Sequence, residues 1–235
     1  MKIMTFNVQH FLDYKRNKID INFFVDTIKK YNPDVCGLNE VRGKGPMIGY
    51  TDQIRTLGNG LGYYRYFAEA IKVGGKNPYG NAIVSRLPLE CEETILIPDP
   101  SVKNENESYE SRCVLKANIE IDCKKICFLI CHMGLANAER VNAVESLCRI
   151  IDEIDIPIIL MGDFNTTPDD VVLKPLFERL SDTDELSVKK GQFTYASYAP
   201  QKKIDYILYR GLECVYAETI NEVYSDHFPI IAEFI

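Results

Sequence analysis

Residues 156–165 read IPIILMGDFN, and this stretch decides the fold. Ile156 and Ile158 to Met161 are apolar without alternation, which a strand tolerates only when both faces of its sheet are covered. The run is too short for a helix, is rich in β-branched residues, and ends on the polar Asp163 and Asn165. KICFLICH (125–132) repeats the design and ends on His132. KIMTFNV (2–8) carries Asn7 near its end, and DVCGLN (34–39) runs into Glu40. YYRYFAEA (63–70), NAIVS (81–85), ETILI (93–97), IDYILY (204–209) and FPIIAEFI (228–235) read as further strands, and VLKANIEI (114–121) alternates as a hairpin strand does.

Helical spacing appears between them. Ile19–Tyr31 is apolar at 21, 24, 25 and 28, and Ala138–Ile154 at 141, 144, 147, 148, 151 and 154. Asp169–Leu180 follows the start signal Thr167-Pro168. About ten strands alternating with about four helices predict an α/β protein with packed sheets and outer helices. The length suits a single domain spanning 1–235. Two irregular polar stretches, Pro98–Ser111 and Gly43–Gly49, read as surface loops beside a site.

The composition, 46% hydrophobic and 26% charged, excludes collagen, coiled coil and wholesale disorder. With 27 Lys and Arg against 34 Asp and Glu, the net charge is −7, so the composition advertises no basic face for sequence-blind nucleic-acid binding and leaves room only for a local basic patch. No apolar run approaches the roughly 20 residues of a membrane helix, and the start lacks a signal-peptide pattern. The chain is expected to be soluble, cytoplasmic and monomeric. Its eight cysteines form no CxxC pair and read as reduced core thiols; Cys123, Cys127 and Cys131 lie in a strand-like stretch and do not read as a metal site.

Polar residues recur at strand ends: Asn7, Glu40, His132, Asp163 and Asn165, then Asp205 in KIDYIL and Asp226 with His227 in YSDHFPI. Strand carboxyl ends in α/β sheets converge on one crevice, so residues far apart in sequence share a site. A lone Asn or Asp after a strand is usually a turn or cap, and a lone His such as His10 is usually structural. GDFN is more specific: at about 5% per residue type, a chance match arises on the order of once in a thousand such chains.

With TFN, NE, GN, His132, GDFN, ID and SDH in this order, the chain resembles, end to end, the endonuclease/exonuclease/phosphatase superfamily. That superfamily includes pancreatic-type DNases, abasic-site endonucleases, neutral sphingomyelinases, inositol polyphosphate 5-phosphatases and polyA deadenylases. The resemblance implies a DNase I-like four-layer α/β/β/α sandwich, two packed mixed β-sheets flanked by helices, and divalent-metal hydrolysis of phosphate esters. It makes Glu40 the main ligand for Mg²⁺ (or Mn²⁺), with Asp226 as a second metal or water contact and Asn7 shaping the metal and phosphate side. Asp163 would orient or deprotonate the attacking water, and Asn165 would hydrogen-bond a phosphoryl oxygen. His227, its ring held by Asp205, would contact the phosphate or protonate the leaving oxygen, and His132 would contact the phosphate. Asn81 and Arg112 fall at substrate-binding positions.

Gln9 stands where some abasic-site endonucleases carry an acidic metal contact, which argues against a second metal there, and Trp, a residue that could wedge DNA open, is absent. The expected substrate is a phosphodiester, a nucleic acid or a small nucleotide-like diester. The alternatives are an inositol-phosphate type of phosphomonoester, a sphingomyelinase-like phospholipid diester, and a non-catalytic binding relative. Cations expected near the crevice are few: Arg42, Lys44, Lys76, Arg86, Arg112, Lys202 and Lys203. That sparseness favours short substrates over a long duplex.

Overall fold

The computed structural model describes residues 1–187 and 190–235. Its elements run in the order β1 (Lys2–Asn7), β2 (Leu12–Asp13), β3 (Lys18–Ile19), α1 (Ile21–Tyr31), β4 (Val35–Arg42), α2 (Gln53–Leu61), β5 (Tyr64–Val73), β6 (Asn77–Ser85) and β7 (Glu90–Leu96). There follow β8 (Cys113–Ile121), β9 (Lys124–Cys131), α3 (Asn137–Asp152), β10 (Ile158–Asp163), α4 (Lys174–Phe177), β11 (Ser181–Asp182), β12 (Asp205–Arg210), β13 (Cys214–Thr219) and β14 (Ile230–Phe234).

Two six-stranded sheets result, in the orders β13-β14-β1-β4-β6-β5 and β11-β12-β10-β9-β8-β7. Each is antiparallel except for one central parallel pair, β1 with β4 and β9 with β10. A parallel pair needs a crossover, and α1 and α3 supply the two. α1 begins where the Asp20 carboxylate accepts from the Phe23 N–H (3.2 Å), and it stops at Asn32 in the left-handed conformation.

Strand alternation sorts the apolar side chains into three layers. Ile159 and Met161 of β10 join Ile3, Val35, Ile83, Phe128 and Ile130 between the sheets. Ile158 and Leu160 turn the other way, onto Val144, Leu147 and Ile151 of α3. On the opposite side Met4, Phe6, Cys36 and Leu38 pack under Phe24, Ile28 and Leu57 of α1 and α2. The uninterrupted apolar reading of 156–161 is thereby explained: both faces of β10 are covered, and the molecule is the expected four-layer sandwich.

The expected helix over Asp169–Leu180 is broken into a 3₁₀ turn at Val171–Leu173 and the short α4. Pro175 lacks the N–H that a continuous helix would use there, so it fits only within the first turn of a new one. α2 and β13 escape the sequence reading. Gly58 and Gly60 blur the helical pattern of the first, and β13 shows water one face through Val215 and Glu218. All eight cysteines are free thiols, five of them buried. Among the described residues no helix is long and apolar enough to cross a membrane.

Topology delivers the polar residues to one edge. The carboxyl ends of β1, β4, β9 and β10 lie there. β12 and β14 run antiparallel to β10 and β1, so the site receives their amino ends, and Asp163 is paired in register with Asp205. Asp205, Asp226 and His227 therefore reach the crevice from strand starts, which completes the strand-end reading.

Candidate active site

Asn7, Glu40, Asp163, Asn165, His132, Asp205, Asp226 and His227 gather at this edge, six of them on the wall of a cavity of about 680 Å³. The centre is Asp163, fully buried. Its Oδ2 accepts from Asn7 Nδ2 (3.0 Å) and stands 3.5 Å from His132 Nε2 and 3.6 Å from His227 Nε2. Its Oδ1 accepts the Asn165 N–H at 2.9 Å.

Asn7 Nδ2 also donates to Glu40 Oε1 (3.0 Å), while its own carbonyl oxygen accepts the Gln9 N–H (3.1 Å). The opposite amide orientation would turn an oxygen onto two carboxylates, so the nitrogen faces them. Asn7 thus joins the carboxylates of two sheets, and its oxygen points away from the cavity. Glu40 Oε2 accepts from Tyr79 OH at 2.8 Å. Glu40 has a φ of 61°, within the irregular register between Leu38 and Val41 where β4 bulges against β6. Bulges re-aim side chains, and this one turns the carboxylate into the cavity.

His227 is oriented by Asp205, whose Oδ2 lies 2.8 Å from Nδ1, leaving Nε2 toward Asp163. The Asp205 N–H is itself held by Thr194 Oγ1 (3.2 Å), and the Tyr195 ring lies 4.9 Å from the imidazole. Arg112 NH1 meets His132 Nδ1 at 3.2 Å. Asn165 Nδ2 meets the other ring nitrogen, Nε2, at 3.0 Å, so both ring nitrogens face donors and the neutral imidazole accepts from one of them. Asn165 takes the left-handed conformation that asparagine tolerates (φ 52°) and gives one amide hydrogen to Met133 O at 2.9 Å.

The electrostatics separate the groups. Burial and then the Asp205 charge push the Asp163 carboxyl up to about 7, against the downward pull of His227. Burial alone would lower His227, but Asp205 and Asp163 together outweigh it and hold the imidazole up to about 10. His132 is driven well below the usual histidine range by burial, then by Arg112 and His227. Near neutral pH the site holds a cationic His227, a neutral His132 and an Asp163 poised to gain or lose a proton.

Three placements correct the sequence reading. Asn81 is buried and is not on the wall of this cavity: its Oδ1 accepts from Asn39 Nδ2 (2.8 Å) and its Nδ2 donates to Cys113 O (3.0 Å), so both ends of the amide are engaged within the protein. Arg86 follows β6 at the far end of the sandwich, beside Asn32 and Asp34. Lys203 is buried against Asp182 at 2.5 Å, and of that basic pair only Lys202 lines the cavity. Arg112 lines it as expected, joined by Arg140, Tyr79 and Tyr195, which carry no strand-end signal. Asn39, too, escapes the sequence reading, although a polar residue inside an apolar strand must find hydrogen bonds and so marks itself.

A metal would find oxygen donors here. Glu40 and Asp226 both line the cavity, and Asp226 is raised by burial, with the Glu40 charge contributing in the same direction. Two hard carboxylates that repel one another without an intervening cation suit Mg²⁺ or Mn²⁺. Asp163, Asp205 and His227 also place ligand atoms within 4.8 Å of one another. That trio is internally committed, because Nδ1 is bonded to Asp205 and the protonated ring offers no lone pair.

Residues 4–227 match the pattern of the Endonuclease/Exonuclease/phosphatase family. Comparison with curated proteins gives no significant match. Among solved structures, the chain is similar to an endonuclease/exonuclease/phosphatase family protein from Leptotrichia buccalis C-1013-b, with TM-score 0.80, 24% identity, and 100% of this chain and 99% of that one covered. The mannosyl-6-phosphatase Bt3783 of Bacteroides thetaiotaomicron VPI-5482 gives 0.79 at 16% identity, covering 100% and 99%. The human Nocturnin catalytic domain with bound sulfate gives 0.72 at 20%, covering 100% and 94%.

Proposed function

Since the chain belongs to the endonuclease/exonuclease/phosphatase family, we propose that it hydrolyses phosphate esters with a divalent cation, and that its substrate is a small or short single-stranded phosphodiester. The observation that carries this reading is the buried Asp163 carboxylate held between two imidazoles, beside the Glu40 carboxylate. Glu40 and Asp226 would hold the cation, and Asn7 keeps Glu40 in place. When bound, Mg²⁺ or Mn²⁺ supplies charge neutralisation at the phosphate and at the leaving oxygen.

The chain's own groups account for the remainder. Asp163 takes a proton from the attacking water. Asn165 Nδ2, 2.9 Å from Met133 O and 3.0 Å from His132 Nε2, turns one amide hydrogen from the imidazole to a phosphoryl oxygen as charge grows there. His132, kept neutral by burial, lies beside that amide and would contact the phosphate as well. His227 gives its Nε2 proton to the leaving alkoxide, and the proton gained by Asp163 returns to it across the 3.6 Å gap. The cavity offers Arg112, Arg140 and Lys202 as cations, enough for one to three phosphates, which supports the short diester.

The test is hydrolysis of bis-p-nitrophenyl phosphate, p-nitrophenyl phosphate, short single-stranded DNA and duplex plasmid, each with Mg²⁺, Mn²⁺ or EDTA. Cation-dependent cleavage of the diester and the short strand is expected. Glu40→Gln should raise the Mg²⁺ concentration needed for half-maximal rate by at least about tenfold. Full activity in EDTA, or an unchanged Mg²⁺ requirement in the variant, would sink the proposal; exclusive cleavage of the monoester would replace the diesterase reading.

A further inference from the structure

The site is divided between the sheets. Asn7 and Glu40 belong to the sheet of β1, β4 and β14, with His227 just before β14, whereas Asp163 and Asp205 belong to that of β9, β10 and β12, with His132 just after β9. Their spacing depends on how one sheet is seated on the other. Between the sheets lies an apolar layer, and apolar contact is non-directional, so it does not by itself fix a sliding register.

At the edge under the site this layer becomes polar. Val35, Gly37 and Asn39 form the row of β4 that faces the other sheet, and Asn39 is completely buried. Its Oδ1 accepts the Asp163 N–H at 3.0 Å, and its Nδ2 donates to Cys131 O (3.3 Å) and to Asn81 Oδ1 (2.8 Å). Asn81, on β6, passes the connection to Cys113 O of β8 at 3.0 Å. Two adjacent asparagines on one sheet are thus bonded to three strands of the other. The register of β9 with β10 ends at Ile130 and Met161, and the Asp163 N–H is spent across the sandwich. Gly162 makes the approach feasible: at φ +139°, a Cβ there would lie 2.0 Å from Cys131 O and 3.0 Å from Asn39 Oδ1.

We propose that Asn39, backed by Asn81, is a positioning residue that keys the two sheets together and sets where the Asp163 carboxylate stands relative to Glu40. This rests on the hydrolase reading for its kinetic consequence but not for its geometry. Directional bonds in a buried network fix an arrangement that apolar packing leaves free. A misplacement on the order of 1 Å costs about a hundredfold in rate.

The experiment compares wild type, Asn39→Ala, Asn81→Ala and the core control Ile83→Val on bis-p-nitrophenyl phosphate. Asn39→Ala should lower kcat by about a hundredfold with KM within about threefold, Asn81→Ala should lower it by less, and Ile83→Val should leave it unchanged. Amide hydrogen exchange gives a readout independent of activity: the Asp163 N–H should lose protection in Asn39→Ala while those of Leu160 and Met161 keep theirs. A kcat within about threefold of wild type in folded Asn39→Ala, continued protection of the Asp163 amide, or failure of both asparagine variants to fold would overturn the proposal. If the wild type cleaves no ester, the hydrolase reading fails and the exchange result alone decides the key.

Discussion

Asp163→Asn should lower kcat for phosphodiester hydrolysis by about two to four orders of magnitude, the usual worth of a positioned general base. The substitution keeps the shape of the side chain and removes its capacity to take a proton from water. KM should change little, because under the proposed function the phosphate would meet Asn165, His132 and the cation rather than Asp163. The variant should also show a changed stability profile. A carboxyl raised to about 7 in the folded protein, from an ordinary value of 3.8, binds a proton in the native state that the unfolded chain has already released. The contribution of this group to stability therefore falls as pH rises from about 4 to about 7 and is constant above 7, while the lowered His132 contributes in the opposite sense below its ordinary value of 6.5. Asp163→Asn lacks the titrating group, so its stability relative to wild type should rise over that interval in thermal melts taken in EDTA. A variant retaining a tenth or more of wild-type kcat, or showing the same dependence of stability on pH as wild type, would remove Asp163 from the role of base.

The site is legible in the sequence where its chemistry coincides with strand ends. GDFN and SDH put polar groups directly after or before apolar runs, and an apolar run with both faces buried declares its sheet without need of partners. What stays hidden depends on the seating of one sheet on the other. Asn39 meets Asp163 across 124 positions of chain, and no periodicity encodes which strand will lie opposite. Asn81 misleads in a related way: the resemblance puts it among the substrate contacts, but its amide is taken up by Asn39 of its own sheet and by Cys113 of the other. Arg140 illustrates a third case, a cation in the first turns of α3 whose approach to the cavity is set by how the helix crosses β9 and β10.

Asp205→Asn should move the alkaline limit of the reaction. If the leaving alkoxide takes its proton from His227, activity requires that imidazole to be protonated, and a value of about 10 keeps it so through neutral pH. Asp163 must be ionised as base, so kcat/KM should rise toward pH 7 and fall only near 10, both limits belonging to the coupled cluster. The largest single influence on His227 is burial, which acts downward, and Asp205 is the largest influence opposing it. Removing the Asp205 charge lets burial gain, so the alkaline limb should shift to lower pH and the loss of rate should be greater at pH 9 than at pH 7. The substitution would also free the ring that Asp205 Oδ2 now holds at 2.8 Å, so the two residues should fail together. His227→Ala alone should cost about 10²–10⁴ in kcat, and adding Asp205→Asn should cost little more. Multiplicative losses in the double variant, with an unmoved alkaline limb in Asp205→Asn, would show that Asp205 serves the fold through its bond to Thr194 and that His227 acts without it.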